Sequence, residues 1–270
     1  FRSKMTRSAL LFLCLSVLAL VQGRVPKPAS ETWLQIEFDF SSTEATEDGY
    51  TATDTINSYL SSSQLKWLRY YKVLISPDGG PAPMRVAHMA FQNISHWAAF
   101  EQEHLTRTYA LHDYFFINSR RTVMRMLRDP HDFPIRDGTD QNPGGWVYMI
   151  TYGVGDDESK ADFNKQWNRL APFFGREAHK SVGFLNRQEF TTGELSKSAQ
   201  FVMMYEFTDL PAMEALMFGK TFTSIVETLK PLCTHWATTI LSPGDHAGMY
   251  FPGAAAEKKG EETSAPQSNE

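Results

Sequence analysis

The sequence predicts an α+β fold built from two tandem copies of one strand–helix–strand–strand–helix–strand unit, βαββαβ. Three pairs of segments carry the prediction. ETWLQIEFDFSS (31–42) and GGWVYMITYGVG (144–155) each lead with a tryptophan, alternate through a β-rich run and end in polar sequence; Trp33 and Trp146 are offset by 113. MAFQNISHWAAF (89–100) lies over YEFTDLPAMEAL (205–216) at an offset of 116, each a strand, a turn carrying Asn93 or Asp209, and an amphipathic helix. VMRMLRDP (123–130) and WATTILSP (236–243) close the two halves, again 113 apart. The same element order at a nearly constant offset is the mark of a duplicated unit.

Taken in order, residues 1–4 precede Met5, and Arg7 with the apolar run ALLFLCLSVLALV leads to the small residue Gly23. That is the pattern of a secretory signal peptide over 1–23. The run is shorter than the roughly 20 residues of a spanning helix. The expectation is a secreted, extracellular chain beginning near Arg24, with no membrane partner after cleavage. The first unit occupies 31–129, with a weak helix signal near 50–60 and a rigid turn at SPDGGPAP (76–83). Residues 130–145, rich in Gly, Pro and Asp, form a linker.

The second unit spans 146–243. Val147–Tyr152 reads as a strand, and DDESKADFNKQWNRLAPFF as a helix capped by Asp156 or Asp157, with Phe163, Trp167, Leu170 and Phe174 at helical spacing. SVGFLNRQEF and AQFVMMYEF are strands joined through TGELSKS. LPAMEALMFGKTFTSIVETLK (210–230) reads as one helix with Pro211 in its first turn, and HWATTIL as the last strand. The composition of 254–270, AAAEKKGEETSAPQSNE, is that of a disordered tail.

Composition narrows the partners. Without the signal the chain carries 23 basic against 31 acidic residues, a net charge of −8. That excess argues against nucleic acid. Of two cysteines, Cys14 leaves with the signal, so Cys233 stands alone and the fold must rest on its core. Asn93-Ile94-Ser95 is a glycosylation sequon, although Asn93 also sits where a helix cap belongs.

Two βαββαβ units led by tryptophan-started strands resemble a tandem fusion of the dimeric α+β barrel superfamily, which includes antibiotic-biosynthesis-type monooxygenases and haem-degrading enzymes. The resemblance covers residues 31–243 at the level of architecture. It implies ferredoxin-like units packing sheet to sheet as an intrachain α+β barrel, with a pocket inside the barrel or between sheet and helices. A fused pair would need no dimer, so a monomer or a weak homo-oligomer is expected. No catalytic motif of the superfamily transfers residue by residue.

Strand alternation sorts the faces. In the first strand Leu34, Ile36, Phe38 and Phe40 belong under the helices, leaving Trp33, Gln35, Glu37 and Asp39 facing the barrel. The matched face of the second copy is expected to be Trp146, Tyr148, Ile150 and Tyr152, an amphipathic lining for a small-molecule ligand. In the third strands His88 and Glu206 point inward, one titratable residue per copy. They are the candidate acid–base pair, with Gln35, Glu37, Trp146, Tyr148 and Tyr152 as candidate ligand contacts. The plainer readings are a core histidine satisfied by a neighbour, and a Glu206 salt bridge to Arg69, Arg125 or Arg187.

His96, His104 and His112 are spaced by eight, which turns each about 80° around a helix, so no metal site is expected from them; His104 shares a packing stripe with Trp97 and Phe100. No HExxH, paired Cys/His spacing, Gly-x-Ser-x-Gly, P-loop or dinucleotide fingerprint is present. No cofactor is expected; for haem the one candidate axial ligand is His88. Three functions remain open. One is a cofactor-independent oxygenase, isomerase or lyase acting on a small apolar or phenolic substrate. The others are a non-catalytic binder of a small ligand, haem included, and an extracellular-matrix structural protein.

Overall fold

A computed structural model describes residues 31–75, 85–127, 145–192, 199–243 and 249–250. The expected signal segment, the linker, the SPDGGPAP turn and the tail lie outside the described residues, as does most of TGELSKS. The first unit runs β1 (Thr32–Phe40), α1 (Ala52–Leu60), β2 (Leu65–Ile75), β3 (Arg85–Phe91), α2 (Ile94–His104), α3 (Arg107–Phe115) and β4 (Phe116–Leu127). The second runs β5 (Trp146–Val154), α4 (Asp157–Lys180), β6 (Phe184–Thr192), β7 (Ala199–Phe207), α5 (Leu210–Met217), α6 (Lys220–Leu229) and β8 (Cys233–Pro243), with a short β9 (Met249–Tyr250) beyond.

Local chemistry sets the helix ends. Thr51 and Asp54 form a reciprocal capping box at α1. Asp156 caps α4, whose first turn holds Asp157 and Glu158 and whose last turn holds His179 and Lys180, charges that suit the two ends of the helix dipole. Asn93 and Asp209 cap α2 and α5 through their carboxamide and carboxylate oxygens. The single helix expected over 210–230 is two: α5 stops at Met217, and Gly219 is the N-cap of α6. The histidines at 96, 104 and 112 are likewise divided between α2 and α3.

All strand pairs are antiparallel, and the hydrogen-bonded order β3-β1-β4-β6-β7-β5-β8-β2 closes on itself through a β2–β3 pairing. Within each unit the order is last–first–third–second: β4-β1-β3-β2 and β8-β5-β7-β6. The ferredoxin-like halves therefore repeat one topology. Their outer strands join edge to edge, β4 to β6 and β8 to β2, so the expected sheet-to-sheet packing takes the form of a continuous eight-stranded barrel. Closure removes free edges from the sheet.

Three apolar clusters follow. Helices of the first unit bury Leu34, Ile36, Phe38, Met89 and Phe91 against Tyr59 and Phe100. Helices of the second unit cover Tyr148, Ile150, Tyr152, Tyr205 and Phe207 with Phe163, Trp167, Phe174 and Phe222. The third cluster fills the barrel: Trp33, Trp67, Tyr71, Val86, Ala90 and Met124 from one unit meet Val147, Met149, Phe190, Val202, Met204 and Leu241 from the other.

Candidate functional site

The third strands face as expected. Ala87, Met89 and Phe91 lie under the helices of the first unit, and Met203, Tyr205 and Phe207 under those of the second. His88 (1% exposed) and Glu206 (8%) share the opposite face, toward the barrel. The first strand of the second unit does not follow its expected phase. Trp146 pairs with Phe207, whereas it is Thr32 that pairs with Phe91, so the counterpart of Trp146 is Thr32 and not Trp33. A slip of one residue exchanges the faces of a strand. Tyr148 and Tyr152 accordingly pack in the helix-side core, with Trp146 partly buried against it, while Val147 and Met149 enter the barrel. The expectation that Trp146, Tyr148 and Tyr152 line the barrel is corrected on this ground.

Inside the barrel the polar groups form two linked sets. In the first, Gln35 stands opposite His88 in the β1–β3 register. The Gln35 amide nitrogen donates to Glu37 at 2.8 Å, so its carbonyl oxygen is the atom 3.2 Å from His88 Nε2. His88 therefore donates through Nε2, which leaves Nδ1 as the acceptor nitrogen of the neutral ring. Its ring lies 5.7 Å from Trp33 and 5.3 Å from Tyr71. Burial, with the nearby Arg69 charge adding to it, pushes the His88 pKa down to about 3. The imidazole is thus neutral at ordinary pH, unsuited to act as a general acid, and a weak base.

Glu206 belongs to the second set. Arg69 of β2, opposite His88 in the β2–β3 register, reaches across to Glu206 at 2.7 Å. Asn186 donates to the other carboxylate oxygen at 3.0 Å. The Arg69 guanidinium also lies 3.4 Å from the Tyr71 hydroxyl and 5.3 Å from the centre of the Trp67 ring. Burial opposes its charge, but Tyr71 and Glu206 beside it hold the Arg69 pKa above its ordinary value. Its Nε–H has no acceptor among the described residues. Of the three arginines weighed as partners for Glu206, Arg69 is the one used; Arg187 lies on the helix side, over Trp167.

The two sets meet at Arg69 and occupy one part of a pseudo-symmetric interior. From the β2–β3 and β6–β7 registers, the equivalent of Arg69 is Gln188, that of His88 is Met204, and that of Glu206 is Ala90. Only one of the two related positions carries the charged pair. Arg69, Trp67, Tyr71 and Asn186 were not singled out as site residues from sequence. Trp67, Arg69 and Tyr71 alternate within KWLRYYK, which marks one face but not what it meets.

Haem does not fit at His88 in this arrangement. The ring is enclosed by Trp33 and Tyr71 and committed to Gln35, and the surrounding barrel residues Val86, Ala90 and Met204 are at most 4% exposed. Among the described residues no group of three metal-ligating side chains converges, and no helix is long and apolar enough to cross a membrane. Cys233 is partly buried, and burial pushes its thiol up to about 11, away from the reactive thiolate.

No protein-family model matches the chain, and no curated protein is significantly similar to it. Solved structures are. An anthrone oxidase-like protein superposes with a TM-score of 0.54 at 8% identity, over 82% of this chain and 97% of its own. A candidate monooxygenase from Fusobacterium nucleatum subsp. nucleatum superposes with a TM-score of 0.52 at 10% identity, over 79% and 92%. A chlorite dismutase from Candidatus Nitrospira defluvii is similar at a TM-score of 0.46 and 11% identity, over 83% and 95%. The first two share with this chain the ferredoxin-like α+β barrel fold.

Proposed function

We propose that this is a secreted small-molecule-binding protein whose ligand displaces part of the packed barrel interior and engages the polar groups around Arg69 and His88. The observation that carries the reading is an uncommitted donor in an enclosed aromatic interior. Arg69 Nε–H lacks an acceptor among the described residues. A buried polar group without a partner costs roughly 1–3 kcal/mol; a ligand with a carbonyl oxygen would accept from Arg69 and relieve it. Trp67 and Phe190 set their rings at 84° and 48° to that of Trp33, an aromatic surround that suits an aromatic ketone. Ion-pairing of Glu206 and the neutral state of His88 favour binding over acid–base catalysis. Secretion rests on the sequence of residues 1–23.

Anthrone is a suitable probe, being planar, neutral and oxygen-bearing. Saturable quenching of tryptophan fluorescence by anthrone is expected, weakened at least tenfold in Arg69→Lys, which keeps the charge but removes the Nε–H donor. Quenching that does not saturate, or is indifferent to that change, would count against the barrel as the site. A catalytic reading is favoured by the names of the two structural neighbours. It predicts oxygen uptake with anthrone, one oxygen atom entering the ring carbon and the other leaving as water. Saturable binding without oxygen consumption would leave the binder and remove the oxidase.

A further inference from the structure

The helices of the first unit enclose a second group of uncommitted polar atoms, on the other face of the sheet from the barrel site. Thr55 and Tyr59 lie four residues apart, one above the other on α1, and His104 ends α2. The hydroxyls of Thr55 and Tyr59 and both ring nitrogens of His104 are four of the eight buried side-chain atoms without a hydrogen-bond partner among the described residues. None of the three residues is more than 3% exposed. Their rings are also neighbours: those of Tyr59 and His104 are 5.2 Å apart, and the tilted Phe100 ring lies 4.3 Å from His104 and 5.5 Å from Tyr59. Native interiors leave few such groups unbonded, and a cluster of them marks something that fills the space.

A recess of about 530 Å³ opens on the surface beside this cluster, lined by Asp113, Phe116, Ile117, Asn118, Ser119 and Arg121. Two steps lead inward from it. The Arg121 guanidinium lies 4.0 Å over the Tyr109 ring, which is 6.3 Å from the Tyr59 ring. Phe116 is 4.7 Å from His112, whose ring is 6.0 Å from Tyr59. Recess and cluster are therefore separated by one layer of side chains. In the helix-side core of the second unit, polar side chains of the strands bond to each other: Tyr152 donates to Glu189 at 2.5 Å, and Arg187 donates to the same carboxylate at 2.9 Å.

We propose that Thr55, Tyr59 and His104 form a binding site for a small neutral hydroxyl-bearing aromatic molecule, of the phenol class, admitted from the recess past Arg121 and Tyr109. The chemistry of the three side chains selects it. Each offers both a donor and an acceptor, so the ligand must do the same, as a hydroxyl does. Burial raises the Tyr59 pKa and lowers that of His104, so both stay neutral and neither is matched to an ion. Phe91 and Phe100, 5.1 Å apart, provide the apolar wall for a ring.

Calorimetric titration of the full chain with phenol tests this. Saturable binding is expected in the wild type, at least tenfold weaker in Tyr59→Phe, an isosteric change that removes one hydroxyl, and in His104→Leu. The barrel variant Arg69→Lys should weaken anthrone binding and leave phenol binding unchanged, which separates failure of this site from failure of the barrel reading. No saturable binding would overturn the proposal. So would binding that survives both Tyr59→Phe and His104→Leu, or a crystal structure grown with phenol in which the cluster holds ordered water alone.

Discussion

Arg69 and Glu206 are 137 residues apart in the chain and 2.7 Å apart in the barrel, one contributed by each unit. Each shields the other from the cost of a lone buried charge. Breaking such a pair by removing one partner costs about 3–5 kcal/mol, whereas replacing both by apolar groups can be nearly neutral. Arg69→Met and Glu206→Leu are each expected to lower stability by that amount, and the double variant by far less than the sum. Urea denaturation of the four proteins checks it; strictly additive losses would mean that the two groups are not coupled.

Acid should destabilise the fold through its histidines. Burial pushes His88 down to about 3 and His112 down to about 4, and lowers His104 as well. In the unfolded chain each would titrate near 6.5. Between that value and about 4 the unfolded state binds protons that the folded state refuses, so stability falls as pH falls. The slope is at most roughly 1.4 kcal/mol per pH unit for each histidine. Urea midpoints measured from pH 7 to 4.5 should drop, and His88→Leu should flatten the drop. An unchanged slope in that variant would mean that His88 titrates normally.

How far the sequence foretold these features depends on how many faces a strand has. Ala199–Phe207 and the inward placement of His88 and Glu206 were legible because Met89–Phe91 and Tyr205–Phe207 repeat their pattern in phase. WVYMITY was not. Its strand is buried by helices on one side and by the barrel on the other, so both faces are apolar and alternation carries no phase. Matching Trp146 to Trp33 then placed Trp146, Tyr148, Ile150 and Tyr152 on the wrong side. α1 read as weak because it is only nine residues long, too short for its buried Thr55, Tyr59 and Leu60 to establish a period, and its clearest signal is the Thr51–Asp54 capping box. The break at Gly219 is invisible to periodicity, since an isolated glycine is tolerated within a helical pattern. Arg69 could be placed on a face, but its pairing with Glu206 depends on the β2–β8 and β4–β6 junctions, which are long-range.

Gly183, between α4 and β6, has φ of +91°, and a Cβ there would lie 2.6 Å from the Thr208 hydroxyl and 2.7 Å from the Ala212 methyl. Gly183→Ala combines backbone strain with a clash. A loss of more than about 1 kcal/mol is expected, read as a lowered melting temperature. An unchanged melting temperature would contradict the turn geometry.

Capping and glycosylation at Asn93 are chemically compatible. The Oδ1 atom accepts from the Ser95 and His96 backbone at 2.9 and 3.1 Å, and a glycan would attach through the nitrogen. Ser95→Ala removes the sequon and leaves the capping oxygen. In protein secreted from a eukaryotic host, that variant is expected to lose a glycan-sized mass while keeping its melting temperature. Asn93→Ala should lose the mass and about 1 kcal/mol of stability besides. Equal masses for wild type and Ser95→Ala would show the sequon to be unused.

The edge-to-edge junctions of β4 with β6 and β8 with β2 lie within a single chain, and this alters what mutation can explore. In a barrel made by two identical subunits every change is made twice, so a charge placed in the interior arrives together with its rotated image. A lone Arg–Glu pair facing a Gln–Ala position cannot exist under that symmetry. Once two copies share one gene, each half can drift separately, and a substitution harmful in duplicate becomes tolerable alone. The charged half of this interior and its uncharged mirror form an arrangement that a barrel of two identical subunits cannot hold.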